Sequence, residues 1–396
     1  MTSTPRAVLS AGQIIRVTIE KVAHGGHFIA RHEGAVIFVR HGLPGEVVDV
    51  AITSVGSSFN RGDVVAVIQA SPHRVEAPCR FANRNGCGGC DFQHVEISAQ
   101  RKLKEYVITE QFARIAKMDI RVEVEEVSPS LGWRTQATIG GDKQGRAGFY
   151  ASRTNTIMAI DNCLVLHPDI EYPKISSQSW EPGARIQVSA ATDGSTRLVA
   201  GEVTQGDHIQ KYTVNGKSYQ VSPDSFWQSN VSAPKVLVDC VNDFANIRSG
   251  DHVLDLYGGV GLFALQLHES VGAGGRIDLV EGSKSATADA ALNFAGKENV
   301  KIHTGDVEKI LPRFSRADVV ILDPPRDGAK KNVIASLVAC KPRAIVYVAC
   351  DPAALARDSA LLRDANYTLE KLRAFDLFPM THHIECVALF TPTAVS

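Results

Sequence analysis

Apolar and polar residues alternate along Gln13–Glu20 (Ile15, Val17, Ile19), and apolar-rich runs follow at Ala35–Val39 and Glu46–Ile52. A period of two puts one set of side chains on one face, which marks half-buried strands. Gly25-Gly26, Gly42, Gly45 and Arg61-Gly62 separate these runs, and short strands at close spacing predict a small β-barrel over residues 1–70. From about residue 71 the pattern changes. Ser71-Pro72 and Ala77-Pro78 open an irregular stretch, and then Leu103, Val107, Ile108, Phe112 and Ile115 fall near helical spacing. They predict a helix over 97–118. Residues 122–221 return to strand-like runs divided by Gly and Asp-Gly turns. Beyond 222, apolar strands alternate with helices: 252–257, 276–280, 300–303, 318–322 and 344–349 as strands, with helices from about 262 and at 285–296, 332–341 and 352–365. That alternation predicts a parallel sheet covered on both faces.

Composition narrows the class. The chain has 396 residues, 44% hydrophobic and 21% charged, the profile of a globular protein of two or three domains. No apolar run approaches the roughly 18 residues of a membrane span. Residues 1–13 lack an apolar signal core, so the expected location is the cytoplasm. A formal net charge of −1 excludes a global basic field, and residues 1–70 carry six Lys/Arg against five Asp/Glu. His24, His27, His32 and His41 in that segment read as solvated loop positions. Eight cysteines are too few for a disulfide scaffold. Cys79, Cys87 and Cys90 fall within twelve residues, which in a reducing compartment suggests a metal or cluster site.

The chemistry-bearing residues gather at strand ends of the last segment. Asp255-Leu-Tyr257-Gly258-Gly259-Val-Gly261 lies between a strand and a helix, and Glu281 ends the next strand twenty residues on. A carboxylate there can take both ribose hydroxyls. The spacing departs from the dinucleotide fingerprint, which favours a cofactor without phosphates, such as S-adenosylmethionine. Asp306 ends the third strand, either to accept from an adenine amino group or to cap the following helix. Asp323-Pro-Pro-Arg326 ends the fourth, with Arg326 where amino-group methyltransferases place an aromatic residue.

Cys350 ends the fifth strand before a helix N-terminus, where the helix dipole would favour a thiolate. Glu385 stands at the mouth of an apolar strand, where desolvation would raise its pKa toward that of a general base. His382 and His383 are rival bases or turn residues, and Cys240, Cys340 and Cys386 read as packing. A thiolate, a base and a methyl donor match C5 methylation of uracil: addition at C6 makes an enolate, C5 is alkylated, and loss of the C5 proton eliminates the thiolate.

Together these motifs resemble the S-adenosylmethionine-dependent RNA uracil-C5 methyltransferases with an N-terminal TRAM domain. Cys87-Gly-Gly-Cys90-Asp-Phe-Gln93-His94 is similar to the family's cysteine motif, and Phe226-Trp-Gln228 to its cofactor contact. Val348-Ala-Cys350-Asp-Pro-Ala-Ala-Leu-Ala-Arg357-Asp358 resembles its nucleophile motif, and His383-Ile-Glu385 its base motif. The resemblance implies an α/β chain in three parts. These are a TRAM/OB-like barrel at 1–70, a mostly-β iron–sulfur and RNA-binding domain at 71–221, and a class I (Rossmann-like) methyltransferase sheet at 222–396, with helix 97–118 packed on the last.

It further implies Cys350 as nucleophile, Glu385 as base, and Gln228, Tyr257, Asp255, Gly259, Gly261, Glu281, Asp306 and Asp323 around S-adenosylmethionine. Cys79, Cys87, Cys90 and Cys163 would hold a [4Fe–4S] cluster, with structural zinc as the alternative. The seven residues between Cys79 and Cys87, Ala349 and Gly258 depart from the family pattern without removing a catalytic group. RNA contacts are expected from Arg31, Arg40 and Arg61 of the barrel, from Arg134, Lys143, Arg146, Arg153 and Arg326, and from Trp133 stacking a splayed base. The expected substrate is a uridine of structured RNA, 23S ribosomal RNA ahead of transfer RNA. The alternative from another class is a non-catalytic RNA-binding assembly factor.

Overall fold

The computed structural model describes residues 8–127 and 129–394. The first five strands, β1 (Ile14–Val22), β2 (Phe28–His32), β3 (Ala35–Arg40), β4 (Val47–Ser54) and β5 (Asn60–Gln69), close a barrel in the order β1-β2-β3-β5-β4. The alternation read from sequence is the reason: Ile15, Val17 and Ile19 point inward and are buried. Gly62 lets β5 cross close to β4, since a Cβ there would lie 2.4 Å from Val50 Cγ1 and 2.9 Å from the Ala51 carbonyl. Two of the four barrel histidines are not solvated. Burial holds His27 down to about 4 and His41, with Arg40 beside it, down to about 3.

The helix Ile97–Gln111 continues into one wider turn, Phe112–Ala116, and stops where Lys117 turns left-handed at φ 57°. Its apolar face, with Val107, Ile108 and Phe112, joins one apolar core with barrel residues and with the C-terminal sheet. After β6 (Val124–Glu126) comes a six-stranded sheet of β7 (Gln136–Gly141), β8 (Ala147–Tyr150), β9 (Ile157–Ala159), β10 (Arg185–Ala190), β11 (Thr196–Ala200) and β12 (Val203–Gly206), in the order β12-β11-β10-β7-β8-β9. A hairpin, β13 (Gln210–Val214) and β14 (Lys217–Val221), leads to the last part.

That part is built on β15 (His252–Leu256), β16 (Arg276–Glu281), β17 (Val300–Thr304), β18 (Val319–Leu322), β19 (Ala344–Ala349), β20 (Tyr367–Asp376) and β21 (Glu385–Pro392). The sheet order is β17-β16-β15-β18-β19-β21-β20-β6. The first five strands are parallel; β15, β16, β18 and β19 are nearly continuous in burial, as expected for strands covered on both faces, while the edge strand β17 is only half-buried. The sheet is mixed, however, and not parallel throughout. β21 runs antiparallel to β19 and to β20, because β20 and β21 are joined by a short loop that can only reverse the chain. β6, from the middle of the sequence, adds a parallel edge strand to β20. Strand order reverses between β15 and β18, so their carboxyl ends open a crevice at the switch point.

Candidate functional site

A cavity of about 1000 Å³ lies at that crevice. Of the residues singled out in sequence, Gln228, Tyr257, Gly259, Glu281, Asp306, Asp323, Arg326, Cys350 and Glu385 all line it. The topology explains the convergence. Tyr257 and Gly259 follow β15, Asp323 follows β18 and Cys350 follows β19. Because β21 is antiparallel, Glu385 begins its strand at the same edge, and its neighbour Cys386 pairs with Ala349.

The cofactor end is lined by carboxylates. Glu281 accepts from the Gly259 amide at 3.0 Å and the Ser283 amide at 2.7 Å, so it fixes the glycine turn. Asp306 caps the helix that follows it, accepting from the Glu308 amide at 2.8 Å, and also lines the cavity. Of the two roles foreseen for it, capping is thus present in the fold. Asp224, Glu281 and Asp306 around this end repel a pyrophosphate and suit a cationic ligand bearing a ribose. Asp255 and Gly261 stand behind the lining. Asp255 accepts from the Ala264 amide at 3.1 Å, and burial raises it to about 7. A Cβ on Gly261 would lie 2.4 Å from the Phe294 ring, so that glycine serves packing of the loop on the next helix.

At the end that holds Cys350 and Glu385 burial dominates. It raises Asp323 to about 7, and it lifts Glu385 well above the usual carboxylate range, with Asp323 adding to the effect. Cys350 corrects a sequence expectation. Burial first, then Glu385, Asp323 and Asp351, push its thiol up to about 12, against the opposing pull of Arg326. The helix N-terminus does not make a resting thiolate, because it is outweighed by a low-dielectric site holding several carboxyl groups. Asp351 itself caps that helix through the Ala353 and Ala354 amides and meets His24 of the barrel at 2.9 Å.

The two histidines divide. His382 Nδ1 lies 2.6 Å from Asp91, next to Cys90 in sequence, and Asp91 also accepts from the His382 amide. His383 lines the cavity, meets Arg326 at 2.5 Å, and is driven down to about 3 by burial, His382 and Arg326. A ring so hard to protonate is a poor base beside Glu385.

The loop carrying them is tied to the middle of the chain by contacts that sequence reasoning missed. The Met380 carbonyl accepts from the Asp91 and Phe92 amides, Gln100 accepts from the Met380 amide at 2.8 Å, and Lys104 donates to Asp376 at 2.6 Å and to the Phe378 carbonyl at 3.1 Å. Only the position of Asp91 beside a motif cysteine hinted at this. Asp358, within the nucleophile motif, accepts from the Ala329 amide and from the Tyr347 hydroxyl, both at 2.8 Å, and so braces the Asp323–Arg326 loop.

Cys79, Cys87, Cys90 and Cys163 line a second, small and mainly apolar cavity. Burial raises Cys90 to about 12 and Cys163 to about 11, and raises Cys87 as well. The Gly89 amide points at Cys87 Sγ at 3.4 Å. Among the described residues no group of three or more His, Cys, Asp or Glu is set to hold a metal ion. The four cysteines line one space, and no carboxylate lines it with them.

The RNA-contact expectations scatter. Trp133 is only 2% exposed and packs edge-on against Phe378 with 5.7 Å between ring centres, so it forms cavity wall and offers no open stacking face. The cause is its apolar surroundings, Val165 and Met380. Arg31 is paired with Glu20, Arg146 with Asp142, and Lys143 is exposed. Arg40 lies 3.9 Å from Asp63, and Arg61 stacks on Phe59. Arg153 is exposed and feels both Arg40 and Arg61. Arg134 donates to the Gln136 carbonyl at 2.9 Å and lines both the large cavity and the cysteine cavity.

A closed barrel joined to a sheet with these strand-end loops defines a Rossmann-like methyltransferase with an accessory β-barrel. Residues 9–65 match the TRAM domain family, 307–392 the tRNA (uracil-5-)-methyltransferase family, and 199–334 the protein-L-isoaspartate(D-aspartate) O-methyltransferase family. Proteins described as uncharacterized RNA methyltransferases are similar over almost the whole length. That of Streptomyces avermitilis is 39% identical over 97% of this chain and 99% of its own. That of Streptomyces coelicolor is 38% identical over 97% and 94%, and that of Corynebacterium efficiens 36% over 99% and 98%. The crystal structure of Pyrococcus abyssi tRNA (uracil-54, C5)-methyltransferase with S-adenosyl-L-homocysteine shares the fold at a TM-score of 0.74 and 20% identity, over 95% of this chain and 99% of that one. The chain belongs to the TRAM-containing RNA methyltransferases of the uracil-C5 family. No helix among the described residues is long and apolar enough to cross a membrane.

Proposed function

We propose that the protein methylates C5 of a uridine in structured RNA, using S-adenosylmethionine and a covalent adduct through Cys350. The observation that carries this reading is the meeting of Cys350, Glu385 and Asp323 on one cavity whose other end, at Gly259, Glu281 and Asp306, is acidic. S-adenosylmethionine, when bound at that end by Gln228, Tyr257, Glu281 and Asp306, supplies an electrophilic methyl group. The chain supplies the rest. Cys350 is a thiol at rest, so its proton passes to a neighbouring carboxylate before the sulfur adds to C6 and the electron pair moves into the C5 enolate. After C5 has been alkylated, Glu385 takes the C5 proton, the C6–sulfur bond breaks with its electron pair on sulfur, and the departing thiolate takes back the proton that the first carboxylate had held. The target base must leave its stack to reach so enclosed a thiol.

The cysteine cavity suits a [4Fe–4S] cluster better than one zinc ion: the donors are all sulfur, they surround a space, and backbone amides near Cys87 and Cys163 stabilise thiolate charge. Such a cluster would fix the segment that holds Asp91 against His382. The cysteine quartet together with the barrel supports 23S ribosomal RNA as substrate. Transfer RNA is the second reading, favoured by the tRNA enzyme that shares the fold over 99% of its length. Mass-spectrometric mapping of 5-methyluridine in ribosomal and transfer RNA from a deletion strain decides between them. A methyl group lost from neither pool refutes the function.

A further inference from the structure

The large cavity holds five carboxyl groups, Asp224, Glu281, Asp306, Asp323 and Glu385, against the guanidinium groups of Arg134 and Arg326. It admits a cation and a neutral base, but a phosphodiester beside these carboxylates is repelled. If the uridine enters here, its backbone must run along a different surface. At the cavity mouth Arg134, Phe226 and Ser229 also line a second groove, of about 230 Å³, across one face of the middle sheet.

The floor of that groove is built from two cross-strand rows. Gln136, Ser189 and Arg197 are register partners on β7, β10 and β11, and Thr138, Gln187 and Val199 form the next row. Residues two apart on a strand share a face, so both rows face the groove. No carboxylate lines it. Arg197 is only 8% exposed, donates to the His208 carbonyl at 3.0 Å and the Val221 carbonyl at 3.4 Å, and has no ion-pair partner among the described residues. Arg134 has none among them either. Burial disfavours the charge of Arg197, and Asp224 and Asp289 offset this only from beyond ion-pair distance, so a guanidinium placed like this gains from an anion in direct contact. Phe226 stands at the junction of the two spaces with 68% of its surface exposed.

We propose that this groove holds the ribose-phosphate segment of single-stranded RNA next to the target uridine, with phosphates on Arg134 and Arg197 and the adjacent base on Phe226. The proposal rests on the RNA-methylating reading above and adds a site to it. A phosphate needs a cation and hydrogen-bond donors, which Arg197, Gln136, Thr138 and Gln187 provide, and a base needs an open ring face.

The test is binding of a short, uridine-containing single-stranded RNA to the full-length protein across a salt series, beside binding of S-adenosylmethionine alone. Arg197→Ala is expected to weaken RNA binding about tenfold and to flatten the plot of log affinity against log salt by about 0.7 for each phosphate no longer neutralised. Arg197→Lys should keep the slope. Gln187→Glu, which adds a negative charge to the groove floor at nearly constant side-chain shape, should weaken RNA binding similarly. All three should bind S-adenosylmethionine as the native protein does. Unchanged affinity and slope in both Arg197→Ala and Gln187→Glu would overturn the groove, even where the native protein methylates uridine. A groove-dependent salt slope in a protein that transfers no methyl group to uridine would support the site and overturn the reaction instead.

Discussion

Lys104 and Asp376 form an ion pair whose side chains are 1% and 3% exposed, and it joins the helix Ile97–Gln111 to the end of β20. Lys104 also holds the Phe378 carbonyl, and Phe378 lines the large cavity against Trp133. Burial lowers the lysine pKa, and the adjacent carboxylate opposes that. Lys104→Met removes the cation and leaves a carboxylate unpaired in the core, which costs about 3–5 kcal/mol. Lys104→Met with Asp376→Leu removes both charges together, and its stability should return to within about 1–2 kcal/mol of the native value.

The assay is urea unfolding followed by tryptophan fluorescence and by proteolysis of the C-terminal sheet, because a chain of several parts need not unfold in one step. Residual RNA methylation by the double variant should stay low, since in both proteins the Phe378 carbonyl loses the Lys104 donor that ties it to the helix and keeps only the local ones from Thr381. If the single variant unfolds within about 1 kcal/mol of native, or the double variant is no more stable than the single, the pair does not clamp this loop.

Three further outcomes follow from the geometry. Glu385→Gln leaves no base for the C5 proton, so a protein–RNA adduct that survives denaturing electrophoresis should accumulate; rapid turnover by this variant would refute the base assignment. Gly261→Ala places a side chain at φ 93° and against Phe294, which should cost about 1–2 kcal/mol from the backbone alone. Calorimetry should show weaker S-adenosylmethionine binding, and native affinity would count against the loop. His27, His41 and His94 have folded pKa values of about 4, 3 and 4. Their stabilising share is present above pH 6.5, where they are neutral in both states, and is lost as pH falls toward 4 because the unfolded chain takes up protons first. Denaturation midpoints measured between pH 7 and pH 4 should fall accordingly, and a flat profile would mean the rings are solvated.

Local pattern was enough for the parts whose side chains repeat with their element. Ile15, Val17 and Ile19 announce a barrel strand, and the apolar runs ending at Leu256, Leu322 and Ala349 announce buried parallel strands. Candidate site residues were legible for a related reason: in such sheets ligands bind at strand ends, so Asp323, Cys350 and Glu385 stand out by position. Charge was less legible. Arg197 has no motif, and only its register with Ser189 and Gln136 across two strands reveals the row. Trp133 looked like an exposed aromatic beside an arginine, yet the apolar residues that bury it lie tens to hundreds of positions away.

By itself, then, the sequence determined three differently patterned segments, the glycine turn, the cysteine quartet and the residue types required for a thiol-and-base reaction. Only the tertiary structure decided that β21 runs antiparallel and brings Glu385 beside Cys350, and that β6 joins the edge of the last sheet. It also decided the protonation of the site. A cysteine before a helix reads as a thiolate from its neighbours in sequence, but burial and the carboxyl groups of Glu385 and Asp323 reverse that. Periodicity is set by bonds along the chain, whereas dielectric environment and charge neighbours are set by what folding brings together.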